Sequence, residues 1–463
     1  MSTTTVTQTQ VLKPKPPVLD QRFAVLKQSL VKSEHKQKVI ESYARLQRAL
    51  AAEVDLISKN GPAMVPEIDF NDVMQNDGTL PPAFATLVRD RGCVILRNVV
   101  PTAQATAWET SLKSYTTRHR SVGGFPVDNP QNWSLWWTPA QVQIRSHPRV
   151  LAAMRCVSQL WHVDDPTLPI DMDAQVVYPD RFRIRYPSTD AEYTLPAHLD
   201  SGGIERWECA ANRENFAKIF QGEWEGWDGW KADARLEARS DLYGVNAACS
   251  CWRCMQGWLS LSETGTGEGT LRLLPSLKAS VAYIMLRPLF DDEGGWSDGE
   301  ATFPGSEPGN TQFFPSKEWH AALQMEKSIV GIPPVRPGDY VFWHCDLVHE
   351  VDRFHPGTRD SSVVYNACNP LTPYNLQSLL RVREAFKKAA VPPDFALYEI
   401  VKEHEGQHED HGARRDNILS SEGLQAMGLE PYDVDAPGLT EGQRKMRKMA
   451  NEALGFGTAA EDD

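Results

Sequence analysis

Near the start of the chain, apolar residues recur every three to four positions. Phe23, Leu26, Leu30, Val39, Ile40, Tyr43, Leu46, Leu50, Val54 and Ile57 keep this rhythm with lysine and glutamate between them, which predicts one or two amphipathic helices over residues 21–58. Gly61-Pro62 breaks the pattern. A helix around residues 84–90, an Arg91-Gly92 turn, an apolar strand over 93–100 and a second helix over 102–117 come next. A further helix is expected from Pro139 to Trp161. From Asp180 to Tyr186 the rhythm changes to strict alternation, so Arg181, Arg183 and Arg185 share one face of a strand and Phe182, Ile184 and Tyr186 the other. Two apolar runs, 256–261 and 270–276, flank a glycine-containing turn and read as a hairpin. Residues 290–309, rich in Gly, Asp and Pro, read as a long loop. A Pro337-Gly338-Asp339 turn then launches a strand that runs toward His349, the strand Val363-Val364-Tyr365 follows, and a helix occupies 376–386.

This order divides the chain into a Thr, Gln and Pro-rich tail over 1–20, expected to be disordered, a helical extension over 21–80, a central α+β domain with a mainly β core over 81–370, and a helical extension over 371–463. The stretch near 210–245, with Trp224, Trp227 and Trp230 among many charges, reads as an insertion whose tryptophans pack rather than form a lid. The helical extensions suit packing against the main domain or a homodimer contact.

Composition narrows the class. The 463 residues carry a formal net charge of −13, which disfavours nucleic acid and anionic membranes as partners. No stretch reaches the roughly 20 apolar residues of a membrane span. The polar start Met1-Ser2-Thr3 carries no secretory pattern, and a cytoplasmic protein is expected. Eight cysteines are too few for a disulfide scaffold, and Cys249, Cys251 and Cys254 are expected as buried thiols rather than zinc ligands, which would number four.

The candidate chemistry begins at His198-Leu199-Asp200. Two positions apart on an extended segment, an imidazole and a carboxylate point to one side. Such a pair needs one further histidine to become the two-His-one-carboxylate arrangement that leaves open positions on Fe(II). His349 is the expected partner, with His344 as its competitor or a supporting residue. His320 and His355 are expected in solvated loops, and His404, His408 and His411 form only a weak tract. Arg359 and Ser361 follow His349 at a distance that would set them on one face of the next strand. Whether the face of Arg183 and Arg185 turns inward is left open by parity, with outward the simpler expectation; inward, it would bind an anionic small-molecule substrate.

In this order, His-x-Asp, a distal His after a Gly-Asp turn, and Arg-x-Ser resemble the non-haem Fe(II)/2-oxoglutarate-dependent dioxygenases. The "GTLRLLPS" and "PGDYVFWHCDLVH" stretches resemble the phytanoyl-CoA-hydroxylase branch, and "AHLDSGGIERW" together with the length is similar to the uncharacterised YbiU-type family. The resemblance spans roughly residues 84–369. It implies a double-stranded β-helix, or jelly roll, with helices around it. It also implies Fe(II) on His198, Asp200 and His349, and 2-oxoglutarate on the metal with its distal carboxylate on Arg359 and Ser361. O2 would be consumed, succinate and CO2 released, and a substrate C–H hydroxylated or desaturated; with Asp at position 200, no ligand position falls vacant for a halide. Two other readings stay open: a cupin-like metal protein without 2-oxoglutarate turnover, and an interaction protein built on a relic barrel. Succinate formation separates the first from an oxygenase, and indifference of the phenotype to His198→Ala and His349→Ala marks the second.

Overall fold

The computed structural model describes residues 14–190, 194–245, 248–396 and 404–457. Most of the expected tail, residues 1–13, lies outside the described residues. Residues 14–20 run as non-helical chain, and the Leu19 N–H donates to the Ala301 carbonyl at 2.7 Å.

Among the described residues, thirteen strands form a mixed α/β architecture: β1 (Glu67–Asp69), β2 (Cys93–Arg97), β3 (Gly124–Phe125), β4 (Asn132–Trp133), β5 (Asp171–Gln175), β6 (Phe182–Arg185), β7 (Met255–Ser260), β8 (Leu271–Leu273), β9 (Val330–Gly331), β10 (Tyr340–His344), β11 (His349–Val351), β12 (Ser361–Tyr365) and β13 (Pro370–Leu371). Eight of them make one sheet in the order β1-β2-β10-β7-β12-β6-β4-β3, antiparallel except for β1 beside β2. A second sheet, β11-β8-β9, stands across a cavity from it, and β13 pairs with β5. The central β10 and β7 are buried along their whole length, β10 as its apolar run Tyr340-Val341-Phe342-Trp343 requires.

The expected hairpin does not form. β7 pairs with β10 and β12, whereas β8 pairs with β11 and β9. The glycine turn between them carries the chain from one sheet to the other, where β8 meets the His349 strand. The helix expected over 139–161 is also broken: Pro139–Ser146 ends at His147, and Pro148 opens a second helix, Pro148–Ser158, because proline at a first helical position is tolerated where an interior one is not.

Helix α1 (Lys36–Asn60) buries Val39, Tyr43, Leu46, Leu50, Val54 and Ile57 along one stripe. It packs on α2 (Leu277–Leu286), which is mainly apolar and buried at every position but Lys278. Tyr43 stacks on Phe290 with ring centroids 3.7 Å apart. In the 210–245 stretch Trp224, Trp227 and Trp230 are buried in the same core, and the Trp230 indole N–H donates to the Arg89 carbonyl at 3.2 Å. After β13, α3 (Pro373–Lys387) packs on α4 (Glu441–Leu454) and on β13, and α4 packs on β5.

Candidate metal centre

His198 lies just before the edge of the small sheet and pairs with His349 at the start of β11. Each histidine's backbone N–H donates to the other's carbonyl, at 2.9 and 3.1 Å. This antiparallel bridge sets the two imidazole rings side by side, centroids 4.1 Å apart. Asp200, two residues on, returns to the same side. Its Oδ1 is 3.5 Å from His198 Nε2 and its Oδ2 3.8 Å from His349 Nε2.

The outer hydrogen bonds fix how these groups present themselves. His198 Nδ1 lies 2.7 Å from the Pro196 carbonyl, and His349 Nδ1 3.0 Å from the Leu347 carbonyl. A carbonyl only accepts, so each Nδ1 carries the hydrogen and each Nε2 keeps a lone pair turned toward Asp200. Asp200 accepts from the Gln312 amide at 2.6 Å on Oδ1 and from the Gln256 amide at 3.0 Å on Oδ2. Burial would raise its carboxyl, but His198, Arg253 and His349 nearby, with the Gln312 hydrogen bond, hold it well below the usual carboxylate range. Burial and the neighbouring His198 push His349 down to about 3, against the pull of Asp200. An anionic carboxylate and two imidazoles that turn Nε2 toward it, within 4.8 Å of one another, are a donor set that fits a divalent first-row ion.

The centre opens into a cavity of about 390 Å³ between the two sheets. Trp258, Trp343, Leu271 and Val351 supply apolar walls. Arg183 and Arg185 both line it, so the arginine face of β6 turns inward, against the simpler expectation. Phe182 and Ile184 on the other face are fully buried in the core, and a strand covered on both sides has no outward face for its arginines. Arg185 is 1% exposed and reaches the Asp352 carbonyl; Arg183 donates to the Gly269 carbonyl at 2.6 Å. Both thus bridge to the second sheet. Asp352 lies three residues beyond His349, about 10 Å along extended chain.

Arg359 is not in the cavity. β12 begins at Ser361, which leaves Arg359 in the preceding loop, 67% exposed and ion-paired with Glu263. Ser361 is buried, stands in register with Arg185 and accepts from Thr264 Oγ1 at 3.3 Å. His344 is excluded from the centre by parity: Trp343 faces the cavity, so His344 faces away. There it lies 3.0 Å by Nε2 from the Gly229 carbonyl and stacks on Trp161. Its neighbour Asp346 is taken by Arg235 at 2.6 Å. His320 and His355, expected in solvent, are both 1% exposed; His320 is packed edge-on to Phe313, and His355 against Gly269 beside Arg185. His408 meets the Tyr115 hydroxyl at 2.6 Å and stacks on His119. The eight cysteines are free thiols, with Cys249 and Cys251 Sγ atoms 3.7 Å apart. Gln256, Gln312 and Arg253 gave no signal in the sequence: glutamine and arginine are common, and only the fold brings positions 253, 256 and 312 to Asp200.

Compared with known proteins, residues 17–429 match the Gig2-like family model, and the chain belongs to that family. The YbiU-type resemblance also holds at the level of relatives: Escherichia coli K12 YbiU, an uncharacterised protein, is 31% identical over 368 residues, covering 77% of this chain and 85% of YbiU. The family shown is therefore the Gig2-like one rather than the phytanoyl-CoA-hydroxylase branch. Among solved structures, Candida albicans GlcNAc Inducible Gene 2 aligns with a TM-score of 0.86 and 39% identity over 96% of both chains. A Salmonella typhimurium LT2 protein described only as a candidate oxidoreductase aligns with a TM-score of 0.74 and 29% identity, over 88% of this chain and 96% of its own. No described helix is long and apolar enough to cross a membrane.

Proposed function

We propose that this protein is an Fe(II)- and 2-oxoglutarate-dependent oxygenase acting on a small molecule, built on a double-stranded β-helix formed by the two facing sheets. The observation that carries this reading is the meeting of His198, Asp200 and His349, with both Nδ1 atoms engaged by backbone carbonyls and both Nε2 atoms turned inward. His198 Nε2, His349 Nε2 and the Asp200 carboxylate would hold the iron, and the Gln256 and Gln312 amides would keep that carboxylate in place.

With Arg359 outside the cavity, Arg183 and Arg185 are the groups able to pair with the distal carboxylate of 2-oxoglutarate. Ser361 does not line the cavity; it stands in register with Arg185 on the neighbouring strand, its hydroxyl accepting from Thr264. When bound, Fe(II) with 2-oxoglutarate would supply oxidative decarboxylation: CO2 leaves, one oxygen atom of O2 enters succinate, and the other enters the substrate in hydroxylation or leaves as water in desaturation. Trp258, Trp343, Leu271 and Val351 keep bulk water from the reacting end. Asp200 occupies the carboxylate position, which favours hydroxylation or desaturation over halogenation.

The test is anaerobic titration of the iron-loaded protein with 2-oxoglutarate, following the visible metal-to-ligand charge-transfer band. The band is expected in the wild type and absent in His198→Ala and His349→Ala. Arg183→Met and Arg185→Met should weaken 2-oxoglutarate by about tenfold or more, whereas Arg359→Ala should change it by less than about twofold. An iron-loaded wild type without a 2-oxoglutarate-dependent band would overturn the reading.

A further inference from the structure

The cavity has a second cationic pole that the oxygenase reading does not use. Arg253 lines it on the metal side, with its side chain 12% exposed and its guanidinium over the Tyr178 ring, 5.6 Å from the centroid. One Nη atom stands 3.6 Å from Asp200 Oδ2, beyond hydrogen-bonding distance. The guanidinium charge helps to keep Asp200 ionised, but no hydrogen bond joins the two, and both carboxylate oxygens accept from glutamine amides instead. The Arg253 Nε atom is buried and has no acceptor among the described residues, so packing on Tyr178 rather than a hydrogen bond at that atom holds the guanidinium at the cavity wall.

Charge points the same way. Four arginines, Arg181, Arg183, Arg185 and Arg253, line the cavity against two carboxylates, Asp180 and Asp200. A divalent metal and a 2-oxoglutarate dianion offset each other, so the loaded cavity keeps this positive excess, inside a chain whose net charge is −13. Such a pocket concentrates small anions against the field of the surrounding molecule.

We propose that the primary substrate is a small organic anion, a carboxylate or phosphate ester, whose charged group is bound by Arg253 beside the metal while Arg183 and Arg185 hold 2-oxoglutarate at the far end. This rests on the oxygenase reading above. The pole at Arg253 sets the substrate's anionic group next to Asp200, so the carbon to be oxidised is one near that group.

The experiment uses iron- and 2-oxoglutarate-loaded protein without oxygen and records thermal shifts with matched probes: benzoate against benzamide, glucuronate against glucose, glycerol 1-phosphate against glycerol. Shifts confined to the acids or to the phosphate are expected, and these two arms separate the carboxylate from the phosphate class. For the strongest anion, Arg253→Met should weaken binding by about tenfold or more, with part of the affinity returning in Arg253→Lys, and the loss should exceed any loss in 2-oxoglutarate affinity. Neutral probes binding as well as their anions, no preference across the panel, or an Arg253→Met protein that keeps its affinity for the anion would each overturn the proposal. Failure of the underlying reading is seen separately, as a wild type that takes up no 2-oxoglutarate.

Discussion

Glu405 accepts the backbone N–H groups of Trp136 and Trp137, each at 2.8 Å, in a place water does not reach. Burial raises its carboxyl to about 7; the two N–H donors and Arg145 act in the opposite direction without prevailing. A folded-state pKa above the unfolded value gives stability that is complete below about pH 4.3 and lost as pH rises through 7, amounting to about 3 kcal/mol for this group. Urea unfolding of the wild type and Glu405→Gln at pH 4.5 and 7.5 checks this. The wild type's advantage over the variant should shrink by about that amount at the higher pH. At this scale the sequence was readable where chemistry and parity coincide, in His198, Asp200 and His349, and unreadable where a common residue gains meaning only from its neighbours. Arg359 shows the limit of spacing. Its distance from His349 suited a carboxylate anchor, but the strand starts two residues later, and that displacement leaves the side chain in solvent.

Among the elements, β10 is the one that positions the rest, and the turn before it is exacting. Gly338 has φ +97°, and a Cβ there would stand 2.2 Å from the Val100 carbonyl oxygen. Asp339 beside it accepts from Arg97 at 2.7 Å and from the Arg336 and Asn98 N–H groups at 2.9 and 3.0 Å. Gly338→Ala is therefore expected to cost about 3 kcal/mol, measured as a lower denaturation midpoint with unchanged slope. The Pro-Gly-Asp turn and the continuous apolar run made this strand evident from the sequence. The fate of the Gly265–Gly269 turn was not evident, since a local glycine signal says that the chain bends and not which sheet it joins. Pro148 acted through the same locality, cutting one helical rhythm into two helices.

Across the whole molecule, one apolar core runs from Phe23, on a short helix over Arg22–Ser29 that precedes α1, to Cys368 beyond β12. The N-terminal helices are part of that core rather than an appendage. Leu46, fully buried on α1, illustrates the consequence: Leu46→Ala should destabilise the protein by about 2–5 kcal/mol, seen as a lower Tm in a single transition rather than the separate loss of an N-terminal unit. The helical rhythm of residues 21–58 announced these helices, but nothing in it named the α2 surface they cover, because an apolar stripe specifies burial and not the partner.

The backbone bridge between His198 and His349 gives the centre a particular thermodynamic character. The spacing of the two imidazoles is inherited from paired chain and does not have to be assembled around an ion. On the oxygenase reading, folding would not need the ion, unlike that of small zinc domains, and a bound ion would add its binding free energy to a fold already formed. Such a centre can be emptied and refilled as a reversible event within an intact molecule. Its occupancy would then follow the free concentration of the metal, as the saturation of a receptor follows its ligand.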